Sequence, residues 1–231
     1  MRLCAFLAPD AIAEEMLTQG AYLVSADLQQ AASSQIGWNR VIEDLGKYSL
    51  LSRLGETKAL SLHRLVQSVL YDAMNVATQQ HWINVALQVV SEVFPFEDVA
   101  PLIQSQRYIS DALTCLEHVD QLQIENEEVR YLQYNVAIYF YNRGQYDFAQ
   151  ALYEQVLHSF EQVLGPQHPN TPGTRQNLAG LYQNQGKYEQ AQVLYEQVLS
   201  SREQVLGTQH PDTLGTRRAL DNLYKVQGKV E

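Results

Sequence analysis

Apolar and polar residues alternate along the second half of the chain with a helical period. Ala149, Leu152, Tyr153, Val156, Leu157, Phe160, Val163 and Leu164 follow the i, i+3, i+4, i+7 spacing of one buried helix face. Gly165 accepts the left-handed backbone that ends a helix, and Pro166 forbids continuation. Pro169 holds His168 extended. Asn170 or Thr171 then caps a following helix whose inward stripe is Leu178, Ala179, Leu181 and Tyr182. Gly186 makes a tight turn into the next helix. The pattern predicts paired helices.

The pairing recurs. Tyr153 returns as Tyr195, Gly165 as Gly207, His168-Pro169 as His210-Pro211 and Gly186 as Gly228, each 42 residues on; residues 148–189 and 190–231 are identical at 28 of 42 positions. Taken backward, the same offset maps Gly186 onto Gly144, Tyr188 onto Tyr146 and Asn177 onto Asn135, giving a partial copy from about Glu127. The last copy departs: Asn177 becomes Ala219, Ala179 becomes Asp221 and Tyr188 becomes Val230. Asp221 at a packing position predicts a terminal helix with a solvent-facing side.

The first third reads differently. A helix beginning at Pro9-Asp10, with Asp10 as cap, carries Ile12, Met16 and Leu17 inward. A second starts near Ser25–Asp27, and Val41, Ile42, Leu45 and Tyr48 mark a third. Tyr48–Arg53 and Ala59–Leu62 are strand candidates joined by Leu-Gly-Glu-Thr-Lys as one small β-hairpin. His63–Asn75 resumes helical spacing through Leu65, Val66, Val69 and Leu70. Two amphipathic helices follow, His81–Phe94 and Ala100–Val119, punctuated by Pro95 and Pro101.

Composition narrows the function classes. No apolar run is long enough to cross a bilayer and Met1–Pro9 is too short for a signal-peptide core, so the expected location is cytoplasmic and no membrane partner is expected. The net charge is −10, concentrated where Glu92, Glu97, Asp98, Asp111, Glu117, Asp120 and Glu125 face only Arg107. A polyphosphate would be repelled, so no nucleic-acid partner is expected. Cys4 and Cys115, far apart in apolar helical surroundings, read as reduced buried thiols.

Ala-Leu-Tyr-Glu-Gln-Val-Leu from Ala151, Leu-Gly-Pro-Gln-His-Pro-Asn-Thr from Leu164 and Asn-Leu-Ala-Gly-Leu-Tyr from Asn177 resemble the tetratricopeptide repeat in its kinesin-light-chain variety. The resemblance covers roughly 105 residues. It implies a helical-hairpin superhelix whose first helices line a groove for a protein or peptide ligand. Groove positions carried over from the family are Tyr131, Tyr134, Ile138, Tyr141 and Asn142, then Gly173, Gln176, Gly180, Gln183 and Asn184. Asn135 and Asn177 match the family asparagine that hydrogen-bonds an extended peptide backbone. Read from the residues alone, the asparagines can equally pad or cap helices, and Tyr131, Tyr134 and Tyr141 can pack against preceding helices.

Leu3-Cys4-Ala5-Phe6-Leu7-Ala8-Pro9-Asp10-Ala11-Ile12, Leu45-Gly46-Lys47-Tyr48-Ser49-Leu50-Leu51 and Leu62-His63-Arg64-Leu65-Val66-Gln67 resemble the winged-helix segment of NB-ARC signalling ATPases. Three helices, a hairpin and a helix describe a winged-helix-like module over residues 1–76; an acidic helical connector over 77–125 and repeats over 126–231 complete a mostly α chain, an order that fits this resemblance. The resemblance also implies an upstream nucleotide-binding domain as partner. Leu62-His63-Arg64 stands where the family carries a Met-His-Asp-like motif whose histidine contacts the β-phosphate of ADP, so the resemblance makes His63 a nucleotide-sensing residue when such a domain is present. Arg64 in place of the aspartate departs from the family. Read structurally, His63 caps its helix.

The remaining chemistry is sparse. A phosphate loop needs Gly-x4-Gly-Lys-Ser/Thr; the nearest string, Gly180 to Gly186-Lys187-Tyr188, has five intervening residues and ends in tyrosine. The six histidines show no metal-ligand spacing, so neither metal nor cofactor is expected in this chain. His118 lies one helical turn from Cys115, but Asp111, Glu117 and Asp120 disfavour a thiolate. Glu154, Glu161, Glu196 and Glu203 read as solvated helix-surface acids. No enzymatic activity is expected. The expected function is a protein-binding sensor region of an NB-ARC-type ATPase. The alternatives are a stand-alone tetratricopeptide adaptor and a winged-helix transcription regulator with a repeat sensor.

Overall fold

A computed structural model describes residues 1–47, 50–94 and 102–228, and the chain divides into two compact units, Met1–Asn135 and Val136–Glu231. Tyr48, Ser49, Pro95, Pro101 and Val230, used in the sequence reading, lie outside the described residues.

The first unit opens with a fully buried 3-10 turn, Leu3–Phe6, and strand β1, Ile12–Ala13. Four helices follow: α1 (Glu14–Gln19), α2 (Ala21–Val24), α3 (Ala26–Ala32) and α4 (Gln35–Gly46). Strands β2 (Leu51–Leu54) and β3 (Ala59–Leu62) precede helices α5 (Arg64–Asp72), α6 (Val76–Val93) and α7 (Leu102–Leu122). The sheet is antiparallel in the order β1-β3-β2, with Leu60 opposite both Ile12 and Arg53. The expected two-stranded hairpin is thus the larger part of a three-stranded sheet. Two consecutive apolar residues, Ile12 and Ala13, were too short a run to read as a strand.

The turn at Leu3–Phe6 packs against α5, α6 and α7, and Phe6, Leu7, Ile12, Met16, Leu60, Ile83 and Leu87 form the centre of this unit's core. Asp10 does not cap α1. That helix starts four residues later behind Ala13, and Asp10 instead forms an ion pair with Arg64. Ser25 does cap α3, accepting the Leu28 amide. Helix α5 has no buried residue; Leu65 and Val69, expected inward, are exposed. Buried Glu14 is closely paired: its carboxylate accepts from Trp38 Nε1 at 2.9 Å and from Arg53 Nε and Nη2 at 2.6 and 2.8 Å.

Helix α8 (Glu127–Asn142) contains the division between the units. The second unit continues with α9 (Tyr146–Val163), α10 (Asn170–Asn184), α11 (Tyr188–Val205) and α12 (Pro211–Val226), in which α10 packs on α9 and α11, and α11 on α12. Ala149, Tyr153, Val156, Leu157 and Phe160 form the buried stripe of α9; Val163, expected on it, is the last residue of the helix and is exposed. Gly165 and Gly207 take φ of +86° and +87°, the left-handed stop read from the sequence.

The following helices are not started by an Asn, Asp or Thr side chain. His168 Nδ1 accepts the Asn170 amide at 3.4 Å, and His210 Nδ1 accepts the Asp212 amide at 3.2 Å. Thr171 and Thr213 are buried, and the Thr171 hydroxyl donates to the Gly165 carbonyl. Asp221 is exposed, as its place in the terminal copy predicted.

Candidate functional site

Helices α8, α10 and α12 carry the residues that the repeat pattern assigns to a groove. In the first unit, Tyr131 and Tyr134 are half-buried, and Asn135 is only 3% exposed with its Oδ1 enclosed and unpaired. An enclosed oxygen cannot accept from a peptide amide without local movement.

In the second unit, Ile138, Tyr141, Gln176, Asn177 and Gln183 are half-buried, while Asn142 and Asn184 are exposed. Several of these are brought together. Asn184 Nδ2 donates to the Tyr141 hydroxyl at 3.0 Å, and Tyr195 donates to Gln183 Oε1 at 3.4 Å. A Cβ at Gly180 would lie 3.5 Å from the Tyr195 hydroxyl and 3.7 Å from that of Tyr141, so glycine here leaves the two hydroxyls facing an unfilled step of helix α10. Burial, with Tyr141 nearby, pushes the Tyr195 phenol up to about 12, so it stays a neutral donor. Gln176 is held apart from this group: its Oε1 accepts from Thr216 Oγ1 at 3.0 Å and from Arg202 Nη1.

Tyr195 bonds Gln183, and Arg202 and Thr216 bond Gln176; the groove positions carried over from the family do not include these three. Tyr195 and Arg202 come from the second helix of a pair, which a reading confined to first helices omits. The signal available was the substitution pattern between copies: Phe160 of one is Arg202 of the next.

The recurring glutamates are a correction to the sequence reading. They do lie on the helix surface, Glu154 and Glu196 exposed and Glu161 and Glu203 half-exposed, but each also bonds a neighbouring helix. Glu154 accepts from Tyr182 at 2.7 Å and Glu196 from Tyr224 at 2.9 Å, both 28 residues on. Glu161 pairs with Arg175 and Glu203 with Arg217, both 14 residues on. Fixed offsets within a fixed repeat are what a ladder between successive helices requires.

His63 occupies the N-cap of α5. Its Nδ1 accepts the Leu65 amide at 3.2 Å, which places the ring proton on Nε2, and the side chain is exposed. Cys115 is fully buried and its Sγ donates to the Phe6 carbonyl at 3.3 Å; burial pushes its thiol well above the usual range. His118 stacks on Tyr71 and meets Phe6 edge-on, and burial lowers its pKa. Among the described residues, no group of three or more His, Cys, Asp or Glu side chains is placed to hold a metal ion, and no helix is long and apolar enough to cross a membrane.

Residues 128–204 and 174–229 match the tetratricopeptide repeat model, and residues 1–79 match a Domain of unknown function (DUF7779). A nucleotide-binding leucine-rich repeat (NLR)-like protein of Hyaloscypha variabilis is 31% identical over 145 residues, covering 58% of this chain and 14% of that protein. The chain therefore corresponds to a small part of that relative's length. A Podosopora anserina protein described as a kinesin light chain with nearly identical TPR-like repeats covers 66% of this chain and 80% of its own, at 22% identity and a TM-score of 0.44. BtubC (BKLC) from P. vanneervenii covers 94% and 84%, at 16% identity and a TM-score of 0.46. Residues 128–229 of this chain are thus tetratricopeptide repeats, preceded by a mostly helical module that carries a small three-stranded antiparallel sheet.

Proposed function

We propose that this chain is the protein-binding sensor region of an NLR-type signalling protein of the NB-ARC class. The observation that carries the reading is the 31% identity with an NLR-like protein, together with tetratricopeptide repeats in the same chain. The repeats supply the binding surface, with Tyr141, Gln183, Asn184 and Tyr195 as its hydrogen-bonding groups in the second unit. The chain's role is binding, not catalysis. Where a nucleotide-binding domain is present, His63 Nε2 is the nitrogen left to meet a phosphate, because Nδ1 is committed to the helix amide.

Capture of partners from a lysate of the source organism, by immobilised wild-type chain and by Asn177→Ala and Asn184→Ala variants, tests the binding surface. The variants are expected to lose partners that the wild type retains; identical capture would remove the groove assignment. A stand-alone adaptor is the second reading, favoured by the tetratricopeptide repeats taken alone. An antibody to the repeats separates the two in cell extract: a band at 26.3 kDa supports the adaptor, and a much larger one the signalling protein.

A further inference from the structure

Helix α1, helix α4 and the turn between β2 and β3 line a pocket of about 320 Å³, within the size range of small-molecule sites. Glu14, Glu15, Trp38, Arg53 and Lys58 supply its chemistry. Both carboxylates are already satisfied. Glu14 accepts from Trp38 Nε1 and, through both oxygens, from Arg53 Nε and Nη2. Glu15 pairs with Arg107 of α7 and accepts from the Tyr108 hydroxyl at 3.0 Å. Each acid is matched by one arginine, so neither is left to hold an incoming cation.

The unspent groups are donors. Arg53 Nη2 also bonds Asn39 Oδ1 at 3.0 Å, but among the described residues Nη1 has no partner and it is not enclosed. Among the described residues Lys58 makes no ion pair, and its side chain is exposed. Two acids thus face three cations, Arg53, Arg107 and Lys58, a local positive excess in a chain whose net charge is −10. Lys58 is also held in place. Its carbonyl accepts from the Glu14 amide at 3.0 Å and from Arg107 Nη2 at 3.2 Å, and Arg107 Nη2 holds the Thr57 carbonyl at 2.9 Å. Its backbone takes φ of +49°, where glycine or asparagine costs less. Backbone geometry does not ask for a lysine here.

We propose that this pocket binds a small organic oxyanion, a phosphate ester or a carboxylate, with Lys58 Nζ and Arg53 Nη1 as its donors and Trp38 in its wall. The two head groups offer the same kind of charged oxygen to the same donors. Lys58 precedes β3 and His63 follows it, so the pocket is separate from the nucleotide-sensing position. It lies wholly within the first unit and does not draw on the repeats of the second.

The test titrates the full chain, at constant ionic strength, with glycerol 3-phosphate, with glycerate and, as neutral control, with glycerol. The indole Nε1–H signal of Trp38 in proton–nitrogen NMR reads the pocket; the chain has two tryptophans, and Trp82→Phe assigns the pair. A saturable shift of the Trp38 signal with at least one anion, and none with glycerol, is expected, and the anion that produces it names the head group. No shift with either anion, or an equal shift with glycerol, overturns the site. Lys58→Gly removes the ammonium and relieves the left-handed backbone, so the variant should fold. It should weaken the anion by about tenfold, the loss of one charge-assisted hydrogen bond. Unchanged affinity in the folded variant also overturns the site. Arg53 is left unsubstituted because it holds buried Glu14.

Discussion

Asp111 is the residue whose setting departs most from what its type predicts. It is 1% exposed on α7, its Oδ1 accepts the Ala8 amide at 2.9 Å, and its Oδ2 is enclosed without a partner. Burial pushes its carboxyl up to about 7, against a partial lowering by the Ala8 hydrogen bond. The folded state therefore keeps the proton up to about that pH, while the unfolded chain releases it near 3.8. The stabilising contribution of the neutral carboxyl is complete below the unfolded value and is lost as pH rises through about 7. Asp111→Asn keeps an acceptor for Ala8 and removes the ionisation. Relative to wild type, the variant should gain stability between pH 5 and pH 8, by at most about 3 kcal/mol. Urea unfolding at the two pH values checks this; a difference that does not change with pH would rule out Asp111 as the titrating group.

At the scale of elements, the repeat helices are joined by a core stripe and by a polar ladder of unequal rungs. Arg175 is 9% exposed on its side chain, whereas Arg217 is 41% exposed. Glu161→Ala leaves a buried guanidinium without its carboxylate, and should destabilise by about 2–3 kcal/mol, toward the low end because Glu161 is itself partly exposed. Glu203→Ala breaks the equivalent pair in water and should cost less than about 1 kcal/mol. Chemical denaturation of both variants tests the contrast, and equal losses would mean that burial does not set the strength of these rungs. The helix starts carry a related lesson. The sequence marks His168-Pro169 and His210-Pro211 as loop features, but the imidazole that accepts the first amides becomes visible only when the proline has turned the backbone. Composition statistics favour Asn, Asp and Thr at this place, and here the neighbouring histidine takes it.

At the scale of the molecule, the chain lacks a phosphate-loop string, and His63 Nδ1 is bound to a helix amide. Isothermal titration of this chain with ADP should therefore show no micromolar binding, and His63→Ala should change nothing; micromolar affinity lost in that variant would place nucleotide recognition within these residues. The sequence by itself determined the repeat. Forty-two-residue periodicity, left-handed glycines and the amphipathic stripes of α9 and α10 are local properties, written in each copy. It also determined the hairpin strands β2 and β3, because alternation and turn chemistry are local too. Tertiary structure decided which polar groups meet. Only packing encloses Asn135 Oδ1 and Asp111 Oδ2, exposes Leu65 and Val69, and pairs each recurring glutamate with a side chain 14 or 28 residues away. The third strand likewise exists because β3 offers an edge to Ile12 and Ala13. Periodicity reports a residue's own backbone, whereas partners and enclosure depend on atoms brought from elsewhere in the chain.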